Sequence, residues 1–211
     1  MNNVIDKHGL LSKQILPDPL VLELGCGSRK RTAGAIGIDA LDYPDVDIVG
    51  EVYDVLRQFP TAHVNQANAY HFIEHVDDIN KLMFELSRIL KPDGLVEFVA
   101  PHFSSPYFFS DPTHRSFFGL YTFCYLSVGS PFRRKVPTYQ RDFSFKLERV
   151  DLRFKSPRPF FIRHTVKTFI GKIFNSCNFM KELYEENFCY LFPCYEICYQ
   201  LRRLEPETKP E

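Results

Sequence analysis

The sequence predicts an α/β fold, a mostly parallel sheet covered by helices, and three observations carry that expectation. A short apolar run, Leu20-Val21-Leu22 with Leu24, has the pattern of a central strand covered on both faces and runs into a turn, Gly25-Cys26-Gly27. A second run, Ala35-Ile36-Gly37-Ile38, ends in Asp39. Apolar residues at 79, 82, 83, 86, 89 and 90 trace one helical face ahead of a further strand, Leu95–Ala100. In open sheets of this kind the ligand crevice lies beyond the carboxyl ends of the strands. At 211 residues the chain suits one domain with a full core.

Taken in order, residues 3–15 mix polar and apolar side chains and read as a short leading helix stopped by Pro17 and Pro19. The first strand and the glycine turn follow. Between Gly27 and Ala35 there is room for barely one or two turns, so the first helix is expected to be short. Val46–Val52 alternates and reads as a third strand, with Glu51 near its end. Val64–Tyr70 is the fourth strand and is unusually polar for a central position, so its side chains must find hydrogen bonds or sit at the ends.

The helix through Leu90 has Asp77 or Asp78 as its cap and Gly94 just beyond its end. The fifth strand stops at Pro101. Phe143, Phe145 and Leu147, then Val150, Leu152 and Phe154, alternate in two phases, as in a long or bulged sixth strand. Residues 161–191 are rich in aromatics and read as mostly helical. Ile197, Tyr199 and Leu201 alternate with Cys198, Gln200 and Arg202 in a last strand before the polar tail Glu205–Glu211.

Charges balance overall, 26 basic against 26 acidic, so no global polyelectrolyte partner is implied. Residues 130–173 nevertheless hold 12 basic and 3 acidic side chains, so part of the surface is basic. The N-terminus has no apolar signal core and no run approaches the roughly 18 apolar residues of a bilayer span. The expected compartment is therefore the cytoplasm. Six cysteines, at 26, 124, 177, 189, 194 and 198, lack C-x-x-C spacing and are expected to be buried and reduced.

A strand followed by a glycine turn suits two nucleotide-type ligands. A dinucleotide fingerprint needs a third glycine three residues after the second and an acid about 20 residues on. Here Lys30 takes the glycine's place and Asp39 comes 14 residues after Gly25, both against a nicotinamide cofactor. Glu23 followed by Gly25-Cys26-Gly27 resembles the first motif of class I S-adenosylmethionine-dependent methyltransferases. The segment His71-Phe72-Ile73-Glu74-His75-Val76 through Arg88-Ile89-Leu90-Lys91-Pro92 resembles the "EHV…RxLKPGG" stretch of many small-molecule members, with Asp93 in place of a glycine. Pro101-His102-Phe103-Ser104-Ser105 and Asp111-Pro112-Thr113-His114 resemble the "PHFSS…DPTH" segments of a bacterial subgroup.

The resemblance covers residues 20–101 at recognisable spacing. It implies a Rossmann-like fold, a mostly parallel seven-stranded sheet with helices on both faces and an antiparallel seventh strand. It implies S-adenosylmethionine as cofactor. The glycine loop would pass the methionine part, Asp39 would grip the ribose hydroxyls, Glu51 would contact the nucleoside and His71 would form a cofactor-side wall. The cofactor-binding set is thus Glu23, Gly25, Cys26, Gly27, Asp39, Glu51 and His71. Arg29 or Lys30 can assist as an anion site. The chain then divides into a leading segment 1–19, a cofactor-binding core 20–101, acceptor-side loops with the sixth strand and an aromatic, basic helical part at 102–194, a last strand at 195–204 and a tail at 205–211.

A methyl acceptor that is a hydroxyl or a protonated amine needs a base, worth about 10²–10⁴-fold. His102 and His114, flanking the loop after the fifth strand, are the candidate catalytic residues. His71/His75 and His102/His114 with Asp111 also have the side chains of a metal site, but no tight ligand motif such as H-E-x-x-H is present, and no metal is expected. The expected reaction is methyl transfer to an oxygen or nitrogen of a small-molecule or glycan-like acceptor. Two rivals stand beside it. One is a binding or regulatory protein that keeps the fold without catalysis. The other is an RNA-modifying enzyme using the basic region 130–173, which includes Arg133-Arg134-Lys135 and is equally suited to an anionic glycan or a membrane surface.

Overall fold

The computed structural model describes residues 4–12, 17–137, 139, 142–156 and 159–205. They build one sheet of eight strands. In chain order the strands are β1 (Ile5–Asp6), β2 (Val21–Leu24), β3 (Ile36–Asp39), β4 (Ile48–Val49), β5 (Val64–Tyr70), β6 (Leu90–Pro101), β7 (Phe145–Arg153) and β8 (Glu196–Arg203). The helices are α1 (Val52–Leu56), α2 (Ile79–Ile89), α3 (Phe161–Phe174) and α4 (Asn178–Asn187). Strand order across the sheet is β1-β4-β3-β2-β5-β6-β8-β7. The pairs β4/β3, β3/β2, β2/β5 and β5/β6 are parallel. The pairs of β8 with β6 and with β7 are antiparallel, as expected for the last strand.

Two expectations at the first edge are corrected. Instead of a leading helix, Ile5 and Asp6 form the extra strand β1, antiparallel to β4. It covers backbone groups that the β4 edge would otherwise leave unpaired, and the sheet has eight strands rather than seven. Residue 3 and residues 13–15 of the expected helix lie outside the described residues. The third strand also shrinks to Ile48–Val49, because the amides of Asp54 and Val55 donate to the Glu51 carbonyl and start α1.

Helix α2 forms where expected. Asp78 is its cap, accepting from Asn80 N and Lys81 N, and Leu82, Met83, Leu86 and Ile89 are buried. Gly94 does not close it. The chain turns extended at Leu90, and the left-handed residue of the following bulge is Asp93, at φ 61°. Arg88 donates to the carbonyls of Leu56 and Phe59, which fastens α2 to the end of α1.

The polar strand β5 is central. Asn65 Oδ1 accepts from Leu20 N at 2.9 Å, Gln66 Nε2 donates to Asn68 Oδ1, and Asn68 Nδ2 donates to Thr32 Oγ1. The sixth strand, here β7, carries its irregularity between Leu147 and Arg149. Leu22, Leu24, Ile36 and Ile38 centre the first part of the core; Phe98, Phe118, Phe123, Phe145 and Tyr199 fill the second. Five cysteines are buried as free thiols, whereas Cys177 is exposed. Residues 206–211 of the polar tail lie outside the described residues.

Candidate functional site

Strand order reverses between β2 and β5: from β2 the sheet continues through β3 and β4 on one side and through β5 and β6 on the other. Ligands of open α/β sheets bind at such a switch point, beyond the carboxyl ends of the strands. A cleft of about 690 Å³ lies there, walled by Glu23, Gly25, Gly27, Arg29, Arg31 and Tyr70, with Cys26, Ser28 and Lys30 completing it. That volume falls in the range of small-molecule sites, about 300–1,000 Å³.

The turn owes its shape to two left-handed glycines, Gly25 at φ 61° and Gly27 at φ 60°. Their roles differ. A Cβ on Gly25 would lie 2.2 Å from Phe72 Cδ2, so the space left by the missing side chain is filled by the Phe72 ring. A Cβ on Gly27 would meet nothing within 4 Å among the described residues, so it is Gly27 that leaves its backbone open.

Cys26 N donates to Ile38 O and Gly27 N donates to Asp39 Oδ2 at 2.8 Å, which brings the turn against the end of β3. Asp39 Oδ1 accepts from Leu41 N. Each carboxylate oxygen has two acceptor positions, so both keep capacity for a further donor. Glu51, exposed at the start of α1, follows Gly50, whose amide donates to the Asp39 carbonyl.

Glu23 is buried, and its carboxylate accepts from Arg31 N and Thr32 N. These bonds fold residues 27–35 back as an irregular loop, so the shortened first helix is replaced by no helix at all. Lys30 turns to Asp47 at 2.6 Å, while the Arg31 guanidinium stands over the Tyr70 ring at 5.3 Å. Burial, with Asp39 and Glu23 nearby, pushes the Cys26 thiol up to about 12, so it stays protonated.

His71 lies beyond this cleft. It takes a left-handed backbone, φ 56°, at the end of β5. Its Nε2 is 3.0 Å from Glu196 Oε2 and its Nδ1 is 3.5 Å from Glu74 Oε1. Burial disfavours its charge, but Glu196 and Glu74 outweigh burial and raise its pKa. Glu196 also meets Lys155 Nζ at 2.8 Å and Arg153 Nη1 at 3.5 Å. Burial works against its charge too, yet the bonds from His71 and Lys155 hold it down to about 2.

The two histidines nominated as bases are far from equivalent. His102 is fully enclosed: Nδ1 accepts from Ser104 N, and Nε2 donates to Glu185 Oε2 at 3.3 Å. Its ring thereby fixes the loop after β6 to α4. His114 is half-buried, its Nδ1 donating to the Phe108 carbonyl at 2.9 Å. It stacks edge-on against His75, the ring centres 4.9 Å apart. The structure thus brings Glu23, Gly25, Cys26, Gly27 and Asp39 together at the turn, sets Glu51 beside them, and puts His71 and His114 in a separate group around Glu74.

Sequence reasoning missed Tyr70, Arg31 and the cluster on Glu196. Tyr70 had a usable signal, since it ends the strand beside the first. Glu196 and Lys155 had none, because their partner His71 is far away in the chain.

Comparison with solved structures defines the class of fold. A SAM-dependent methyltransferase from Archaeoglobus fulgidus matches with a TM-score of 0.55 and 16% identity, over 87% of this chain and 85% of that one. Phosphoethanolamine N-methyltransferase 2 from Haemonchus contortus, in complex with phosphomonomethylethanolamine and S-adenosylhomocysteine, matches with a TM-score of 0.51 and 15% identity, over 88% of this chain and 49% of that one. At such identities the likeness speaks for the fold, which is the Rossmann-like fold of class I S-adenosylmethionine-dependent methyltransferases. No family model matches the sequence, and no curated protein matches it.

Proposed function

We propose that this chain is an S-adenosylmethionine-dependent methyltransferase acting on an oxygen or nitrogen of a small-molecule or glycan-like acceptor. The observation that carries the reading is the join between Gly27 N and Asp39 Oδ2 at the switch point of the sheet. It presents an open glycine backbone beside a carboxylate that can accept from hydroxyls, an arrangement that suits a nucleoside with an amino-acid tail. The fit is favourable: Gly27 is unobstructed, and Asp39 has acceptor capacity left for ribose hydroxyls. S-adenosylmethionine, when bound, supplies a methyl group already activated by its sulfonium. The chain's task is then alignment, with Gly27 and Asp39 binding and Tyr70 and Arg31 forming the wall. The "EHV…RxLKP" and "PHFSS…DPTH" segments support the small-molecule group.

His102 is fully buried, which supports a positioning role through Glu185. Calorimetric titration tests the cofactor assignment. S-adenosylmethionine is expected to bind the wild-type chain, and Asp39→Ala to bind it about ten- to a hundredfold less tightly, as for loss of a hydrogen bond to a charged group, about 1.5–3 kcal/mol. No binding at high micromolar concentration, or an unchanged affinity in Asp39→Ala, overturns it.

For the basic region, the observations favour an anionic lipid surface over RNA. Arg133 and Arg134 stand over Phe179 and Tyr121, in a cavity shared with Glu182, Glu185 and Glu186, so their charge is locally balanced. Helix α3 instead turns Ile162, Val166, Phe169 and Ile173 outward at helical spacing, Ile162 at 85% exposure, with Arg163 and Lys167 alongside. An apolar face flanked by cations matches the headgroup boundary of an anionic bilayer. Co-sedimentation is expected with vesicles containing phosphatidylglycerol and to be lost in Ile162→Ser/Phe169→Ser. Sedimentation unaffected by that change, or salt-dependent RNA binding in its place, overturns the assignment.

A further inference from the structure

The segment after β5 and the loop at 111–116 are fastened together. Arg115 N and Ser116 N donate to the Glu74 carbonyl, and the Arg115 guanidinium pairs with Asp77. This brings donor atoms of Glu74, His75 and His114 within 4.8 Å of one another. The Glu74 side chain is fully buried, and among the described residues neither of its carboxylate oxygens has a hydrogen-bond partner. Among the described residues the basic group beside it is His71, with Nδ1 at 3.5 Å, on a ring whose other nitrogen is held by Glu196. A buried carboxylate in that condition costs free energy that a bound cation would offset.

Both imidazoles are set in the tautomer that ligates through Nε2. His114 Nδ1 faces the Phe108 carbonyl, which can only accept, so the proton is on Nδ1. His75 Nδ1 lies 2.9 Å from Thr113 Oγ1, whose own proton goes to Asp111 Oδ1 at 2.6 Å. Thr113 must therefore accept from His75, which again places the ring proton on Nδ1. With Nδ1 of each ring so engaged, Nε2 is the nitrogen each imidazole has left to offer, and one donor atom from each of Glu74, His75 and His114 lies within 4.8 Å of the others, with a carbonyl and a threonine–aspartate pair behind the rings. Such outer partners fix and orient metal-ligating histidines. Asp111 Oδ2, 3.7 Å from His114 Nε2, adds negative charge at the solvent side.

We propose that Glu74, His75 and His114 form a binding site for a divalent first-row transition ion of the zinc type. Two imidazoles with one carboxylate suit zinc and its neighbours, whereas magnesium and calcium take oxygen ligands. Zinc bonds of about 2.0–2.2 Å put ligand atoms about 3.3 Å apart, reached here by small side-chain rotations. Three protein ligands leave one position for water. If the methyltransferase reading holds, an acceptor oxygen is the group that would replace that water. The ion also pins the 111–116 loop against the segment after β5. Sequence spacing hid the site because His114 comes 39 positions after His75.

The test is equilibrium dialysis of the tag-free chain against Zn²⁺, with Co²⁺ absorption as a spectroscopic reading of nitrogen and oxygen ligation. One ion per chain is expected. Glu74→Gln and His114→Ala are each expected to weaken binding at least a hundredfold. Thr113→Val, on an exposed residue that touches no ion, is expected to weaken it about tenfold while leaving the thermal transition of the ion-free chain unchanged. No stoichiometric ion in the wild type, or wild-type affinity in folded Thr113→Val and His114→Ala, overturns the site. S-adenosylhomocysteine titration of the same samples keeps this result distinct from that of the cofactor cleft, since neither proposal requires the other.

Discussion

The cleft at β2 and the histidine group after β5 both lie at strand ends, yet they are built by opposite means. The cleft is local: Glu23 through Asp39 fold on themselves, and amide donors of one short segment meet two carboxylates. The histidine group is assembled from a distance, with Glu74 and His75 from one segment, His114 from a second, and His71 linked to Glu196 from the last strand. In the first the backbone supplies the functional atoms, so glycine and acid spacing are decisive. In the second the side chains supply them, and spacing along the chain says little.

The largest expected effect separates the two glycines of the local site. Gly25→Ala meets both a left-handed backbone and the Phe72 ring, and is expected to destabilise by about 2–5 kcal/mol from the two costs together. Gly27→Ala has the backbone cost alone, about 1–2 kcal/mol. Denaturant unfolding of both variants checks the difference; equal losses would mean that the Phe72 contact is not a constraint.

A smaller effect addresses the distant site. The Glu196 carboxylate is held well below its ordinary value, so its contribution is present above about pH 4.5 and is lost as pH falls through about 2. Glu196→Gln is therefore expected to cost on the order of 3 kcal/mol near neutrality, with the gap from wild type closing toward pH 2. A gap independent of pH would show that the charge on Glu196 is not what stabilises the cluster.

This contrast explains what the sequence revealed. The parallel strands, the Asp78-capped helix, the bulged strand β7 and the last strand were readable because apolar periodicity and caps act over a few residues, whereas the antiparallel direction of that last strand came only from the resemblance. The polar strand β5 was placed correctly, although its satisfaction by Leu20 N and Thr32 could not be seen. Strand β1 was misread because two residues carry too little periodicity to tell an edge strand from a helix, and α1 was missed for a similar reason. Gly25 was recognised as necessary, but its partner is Phe72, 47 positions away. His102 was a candidate base because it follows the carboxyl end of the fifth strand; its enclosure, by contacts with Ser104 and with Glu185 in α4, could not be read from that position.

The most direct test of the account is amide NMR of the labelled chain during titration with S-adenosylhomocysteine. Saturable shifts are expected at Gly25–Arg31, Asp39, Leu41 and Tyr70, with Phe179–Glu186 unmoved. Shifts confined to the separate cavity of Phe103, Tyr121, Phe179 and Glu182, or no saturable shift at the Gly25–Arg31 turn, would contradict it.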